Sequence, residues 1–196
     1  TLQPGDVWFV NLPEVGGSHL PDVKAIRPIF AAGALQAFAV SLAHWADIGG
    51  AVPGSYVANA TDAWQEGLRL PPVRLFTASG PDREKLDLVL ANVRGPRERE
   101  GDILAQMAAT RVAEERVQHI VGEHGATVVQ GVIAALHLRA EAQMRAALAT
   151  LPQGVFNGED FLDDDGVSDR PVAIRVRMDF EGDSATFDFS DSDDAP

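Results

Sequence analysis

The chain has 196 residues, 45% of them hydrophobic and 23% charged, enough apolar content to bury a core as one large domain or two small ones. Its 16 basic and 29 acidic residues leave a formal charge of −13, which repels nucleic acid and anionic membrane and argues against both as partners. Cysteine is absent; this excludes disulfides, thiolate zinc sites, iron–sulfur clusters and cysteine nucleophiles, leaves His, carboxylate or backbone oxygen to hold any metal, and is compatible with a cytoplasmic setting.

The N-terminal residues, Thr1-Leu2-Gln3-Pro4-Gly5-Asp6, are polar and turn-like, unlike a signal peptide. The lack of an initiator Met points to a trimmed start or a fragment. No apolar run reaches the roughly 18 residues that a membrane span requires. Residues 6–11, rich in Val, Trp and Phe and stopped by Pro13, read as a strand. A loop containing Gly16-Gly17 carries His19 and Asp22, and residues 24–30 read as a second strand. Ala31-Ala32-Gly33 predicts a tight turn. Residues 34–45 mix helix-favouring Ala and Leu with an alternating Phe38/Val40 face, and the reading adopted is a strand forming a hairpin with 24–30. Residues 46–81, with Gly49-Gly50, Pro53-Gly54, Pro71-Pro72 and Gly80-Pro81, read as a long loop region of the kind that often carries function.

Three helices are expected next, over about 82–93, 96 to 122 or 125, and 127–151. In the third, Val129, Val132, Ile133, Leu136, Ala140, Met144, Ala147 and Leu148 form an apolar stripe. The last two helices, each ~37 Å long at about 1.5 Å per residue, are expected to pack as an antiparallel pair. Residues 172–180 alternate as a strand, 181–183 form a turn and 185–189 return. The order predicts an α+β fold: an N-terminal β-hairpin region with long glycine- and proline-rich loops (1–81), a three-helix segment (82–152) and a C-terminal β-hairpin region (153–196), all within one segment of a larger domain. The acidic run over 181–196 reads as a solvated end.

Of five histidines, His119, His124 and His137 lie on or beside the helices and read as surface residues. His19 and His44 differ. Each is followed three residues later by a carboxylate, Asp22 and Asp47, and each sits near a Gly pair that lets the backbone turn closely. If 24–44 form a hairpin, both histidines lie at its open end, where two imidazoles and one or two carboxylates can converge on Zn²⁺, Mn²⁺ or Fe²⁺. The alternative reading is a pair of loop histidines, each hydrogen-bonded to its own aspartate. Glu66 and Arg69 in QEGLRLPP either bind substrate or fix the loop, and Asp102 and Gln106 suit capping or inter-helix hydrogen bonds. Asp163-Asp164-Asp165-Gly166 is rejected as a calcium loop, because its twelfth position is Ile174. Neither a phosphate-binding loop nor a Rossmann glycine pattern is present.

The ordered run GGSHLPDV (16–23), AHWADIGG (43–50), PGS (53–55), QEGLRLPPVRL (65–75), NVRGPREREGD (92–102) and AQMAA (105–109), with the closing FDFSDS (187–192), resembles the hydantoinase B/oxoprolinase family over nearly the whole chain. That family includes cyclic-amide hydrolase subunits, 5-oxoprolinase, caprolactamase and the related acetone and acetophenone carboxylases. The resemblance implies a divalent metal on His19, Asp22 and His44, with Asp47 orienting His44 or a water. It also implies a further carboxylate from an upstream segment, so that a free chain of this length holds an incomplete site. ATP is expected on a hydantoinase A-like partner subunit in a homo- or hetero-oligomer, and Asp47 or Glu66 is expected to act as general base towards a cyclic amide, with Arg69 binding substrate. The alternatives are a ketone carboxylase subunit and a non-catalytic assembly segment. Two departures stand out: Leu12-Pro13-Glu14 replaces an acidic Asp-Pro-Tyr stretch, and Trp45 stands where hydrolase members often carry a second His.

Overall fold

A computed structural model describes residues 1–194 and divides the chain into two compact units, Thr1–Gln130 and residues 131–194. The first unit is built on a five-stranded antiparallel sheet. Its strands are β1 (Val7–Val10), β2 (Asp22–Ala31), β3 (Ala34–His44), β4 (Val73–Thr77) and β5 (Gly80–Pro81), in the order β3-β2-β1-β4-β5. The expected β2–β3 hairpin is present. Its turn uses Ala32 and Gly33 at φ 51° and 77°, the doubly left-handed geometry whose twist matches antiparallel strands. The ambiguous stretch from residue 34 is therefore a strand: its inner face, with Ala39 buried, is made of small residues, while Phe38, Val40 and Leu42 stand exposed on the outer face.

Two helices share the core of this sheet, α2 (Arg83–Leu90) and α3 (Pro96–His124), and α3 lies along β2 and β3. Asp82 caps α2 by accepting from the Lys85 amide, and Pro96 opens α3 at its first position. Ile103, Gln106 and Thr110 face the sheet at three- and four-residue spacing and are buried. The core they close includes Val7, Phe9, Val23, Leu75, Leu86 and Ile48. α2 and α3 thus belong to the same unit as the five-stranded sheet.

The long loop region over 46–81 needs correction. It contains a short helix, α1 (Ala63–Glu66), and β4, which pairs directly with the central strand β1. Val73 to Thr77 is a real strand because Leu75 and Phe76 are buried in the core; five residues between Pro71-Pro72 and Gly80-Pro81 are too few for their alternation to declare it.

The second unit contains the last part of α4 (Ala126–Leu148) and a three-stranded antiparallel sheet, β6 (Gly154–Leu162), β7 (Val172–Glu181) and β8 (Ser184–Asp188). The β7–β8 hairpin follows expectation, whereas β6 is an addition to it: the strand has no clean alternation, and eight of its nine residues are exposed. Phe180 joins the sheet's aromatic residues, with edge-on contacts to Phe156 at 6.0 Å and Phe187 at 6.1 Å. The third helix runs as α4 where it was expected; within its apolar stripe Val132, Leu136 and Met144 are exposed. The acidic stretch is solvated as expected up to Asp194; its last two positions lie outside the described residues. No helix among the described residues is long and apolar enough to cross a membrane.

Candidate metal centre

The hairpin register determines the site. Asp22 and His44 are cross-strand partners, the outermost pair of the β2–β3 ladder, so their side chains leave the sheet on the same face. His19 is brought back to them by a tight turn in which Asp22 N donates to His19 O (3.0 Å) and both Val23 N and Trp45 N donate to Pro21 O (2.9 Å each). Two neighbours pin that turn. Leu20 is buried, and Asn11 Nδ2 donates to Leu20 O at 2.8 Å. Gly17 is required, since a Cβ there would lie 2.7 Å from Asn11 O.

Three donor atoms converge as a result. His19 Nε2 lies 2.9 Å from His44 Nδ1, His44 Nδ1 lies 3.1 Å from Asp22 Oδ1, and Asp22 Oδ1 lies 3.4 Å from His19 Nε2. Donors about 2.1 Å from a metal are separated by ~3.0 Å in an octahedral face and ~3.4 Å in a tetrahedral one. All three edges fall at or close to that range, and two imidazoles with one carboxylate suit Zn²⁺, Mn²⁺ or Fe²⁺. It is the one such group of His and carboxylate side chains found among the described residues. The histidines are 50% and 59% exposed while Asp22 is 13% exposed, so the carboxylate anchors the triangle and its imidazole side is open to a ligand.

The triangle borders a cleft of about 420 Å³ lined by His19, His44, Ser55, Tyr56, Val57 and Glu66, among others. Glu66 closes α1, whose start Asp62 caps by accepting from Trp64 N at 2.8 Å. The expected base Glu66 therefore shares a cleft with the two histidines. Tyr56, 86% exposed at the same cleft, has no motif of its own in the sequence; only the neighbouring Pro-Gly-Ser run marks its loop.

The other expected residues lie elsewhere. Asp47 is buried. Its Oδ1 accepts from Gly49 N (2.8 Å) and Arg94 N (3.0 Å), and its Oδ2 accepts from Gly54 N (2.8 Å) and Arg94 Nη1 (3.3 Å). Burial pushes its pKa up, but these backbone and guanidinium donors outweigh burial and hold it at about 2. A carboxylate so saturated is a loop anchor and a poor general base, and it makes no hydrogen bond to His44. Arg69 pairs with Glu14 at 2.6 Å and stacks over Trp64 at 6.0 Å; it does not line the cleft. Glu14, held below the usual carboxylate range by backbone and Arg69 hydrogen bonds, thus gives the altered Leu12-Pro13-Glu14 stretch a loop-fixing role. Trp45 is 1% exposed, and its Nε1 donates to Gln106 Oε1 at 3.0 Å. Gln106 Nε2 in turn donates to Val23 O and Ser41 O. Trp45 is a core pin beside His44, pointing away from the cleft, and Gln106, for which capping or inter-helix bonding was expected, instead ties α3 to β2 and β3. His119, His124 and His137 are exposed as expected.

The sequence profile of the family described as Hydantoinase B/oxoprolinase matches residues 1–196. The B component of a putative D-/L-hydantoinase from Pseudomonas sp. (strain NS671) is 35% identical over 195 residues, covering 97% of this chain and 33% of that protein. The crystal structure of an ATP-dependent caprolactamase from Pseudomonas jessenii superposes with a TM-score of 0.88 at 33% identity, over 95% of this chain and 32% of its own. An acetone carboxylase in a nucleotide-free structure has the same fold, with a TM-score of 0.87 at 20% identity over 95% of this chain and 26% of its own. The chain spans about a third of the length of the hydantoinase and caprolactamase relatives.

Proposed function

The chain belongs to the hydantoinase B/oxoprolinase family, and from that premise we propose that it is the metal-bearing part of a subunit of an ATP-dependent cyclic-amide hydrolase. The observation that carries the proposal is the triangle of His19 Nε2, Asp22 Oδ1 and His44 Nδ1, with edges of 2.9, 3.1 and 3.4 Å. These residues would hold a divalent cation. Once bound, such a cation supplies Lewis-acid polarisation of a carbonyl and acidification of water. His19 and His44 present their nitrogens to the cleft, and Asp22 fixes both from below by contacts from a single oxygen. Glu66, lining the same cleft, accepts a proton from the attacking water. The water oxygen adds to the activated carbonyl carbon, the ring C–N bond breaks as the proton held by Glu66 passes to the departing nitrogen, and a second water releases inorganic phosphate from the acyl phosphate that remains. Activation of the carbonyl oxygen by ATP is assigned to a hydantoinase A-like partner subunit; the ATP step alone is supported by the name of the ATP-dependent caprolactamase relative. A ketone carboxylase role draws no support from Trp45, which faces the core.

The test is elemental analysis of protein purified without chelator, combined with ATP-dependent ring opening of ε-caprolactam and 5-oxoproline by the assembled complex. One equivalent of a divalent metal and its loss in His19→Ala are expected. A metal-free, fully active preparation would sink the proposal.

A further inference from the structure

The loop that follows His44 is closed on itself twice. Asp47 accepts from Gly49 N and Gly54 N. Ser55 Oγ accepts from Ile48 N and donates to Gly49 O, both at 2.7 Å. The backbone inside these closures is left-handed at Gly49, Gly50, Gly54 and even Ser55, at φ 87°, 81°, 85° and 55°. A non-glycine residue keeps such a conformation only when its surroundings over-determine it. The residues that follow, Ser55 to Ala58, form one wall of the cleft shared with His19, His44 and Glu66.

One side chain from outside the loop binds all of this together. Arg94, between α2 and α3, donates from Nη1 to Asp47 Oδ2 (3.3 Å), Gly49 O (3.2 Å) and Val52 O (2.9 Å), and from Nη2 to Gly50 O (2.9 Å). Its backbone N–H adds a bond to Asp47 Oδ1 at 3.0 Å. The planar guanidinium fork reaches four acceptors at fixed angles, which the point charge of a lysine cannot do. By contrast, His19, Asp22 and His44 are set by the β2–β3 register and the turn at Pro21, with no bond to Arg94.

We propose that Arg94 is a positioning residue for the cleft, fastening the 47–55 loop so that residues 55–58 stand as the wall beside the His19–Asp22–His44 triangle. It acts on the shape of the substrate space and leaves the ligand set untouched. The inference rests on the metal reading for its chemical purpose and on the hydrogen bonds alone for its mechanics.

Because the chain has no cysteine, a nitroxide can be placed uniquely at Asn59→Cys, just past the wall. Two readouts follow: the line shape, sensitive to nanosecond motion, and the relaxation enhancement of the label by stoichiometric Mn²⁺. In the parent, an immobilised spectrum and a clear enhancement are expected. Arg94→Ala should add a fast-tumbling component and lose much of the enhancement while binding the same equivalents of Mn²⁺. Unchanged spectra in Arg94→Ala overturn the inference, and so does loss of Mn²⁺ from that variant, since Arg94 would then act on the ligands. If Arg94→Ala does not fold by far-UV circular dichroism, Arg94→Lys takes its place, and the same two results overturn the inference. A parent that binds no Mn²⁺ removes the metal reading, and the line shape still decides the role of Arg94.

Discussion

Replacing His44 by Ala removes one of three donors and leaves Asp22 and His19 3.4 Å apart with no second imidazole. A metal that binds the folded chain and not the unfolded one stabilises it by RT ln(1 + [M]/Kd), about 2.7 kcal/mol at a hundred times Kd. For a chain of 196 residues, each kcal/mol moves the melting temperature by about 2–4 °C, so saturating metal should raise Tm by roughly 5–11 °C. The assay is a thermal melt of chelator-stripped protein titrated with Zn²⁺, Mn²⁺ and Co²⁺. His44→Ala should melt near the metal-free parent and show almost no shift. His119→Ala, altered on an exposed helix surface where it pairs with Glu123, should keep the full shift. A parent insensitive to all three metals, or a His44→Ala shift equal to the parent's, would refute the reasoning from donor spacing.

Three further outcomes are expected. Glu66→Gln should keep the metal content and lower kcat by about 10²–10⁴, the usual contribution of a general base, as read by steady-state kinetics of the assembled complex; an unchanged kcat removes Glu66 from proton transfer. Asp47 has its pKa depressed from 3.8 to about 2, so its stabilisation of about 2 kcal/mol is fully present above about pH 4 and is lost as pH falls towards 2. Asp47→Asn should therefore cost about that much in urea denaturation at neutral pH, and much less near pH 2. Trp45→Phe leaves Gln106 Oε1 without its indole donor in a buried position and should cost about 1–3 kcal/mol with unchanged metal binding; altered metal stoichiometry would show that Trp45 shapes the ligands as well as the core.

The hairpin and the helices α2 and α3 were legible because each carries its own local signal: a tight-turn sequence at 31–33, apolar positions at helical spacing, and Asp82 and Pro96 at helix starts. β4 and β6 were not. β4 is a strand because β1 lies beside it and the core needs Leu75 and Phe76, a tertiary reason invisible in five residues. β6 is held by pairing with β7 along its whole length while burying almost nothing, so no hydrophobic pattern could announce it. The third helix was legible from its apolar stripe at 129–148, within which Val132, Leu136 and Met144 are exposed and Val129, Ile133 and Leu148 half-buried.

The site shows why spacing alone could not assign roles. His19-x-x-Asp22 and His44-x-x-Asp47 look like two copies of one motif, and on spacing alone they stand equal as possible ligand pairs. In the first copy a turn folds His19 over Asp22, and the sheet register puts Asp22 opposite His44, so both residues of that motif reach one point. In the second copy the strand ends at His44, Trp45 enters the core, and Asp47 is carried inward to four donors around its own loop. The deciding residue is Trp45, whose burial turns the chain between the two polar positions. One aspartate thus completes a ligand triangle, while the other builds the loop that borders it. The residue that makes that second role possible, Arg94, lies 47 positions further along the chain, beyond the reach of any local motif.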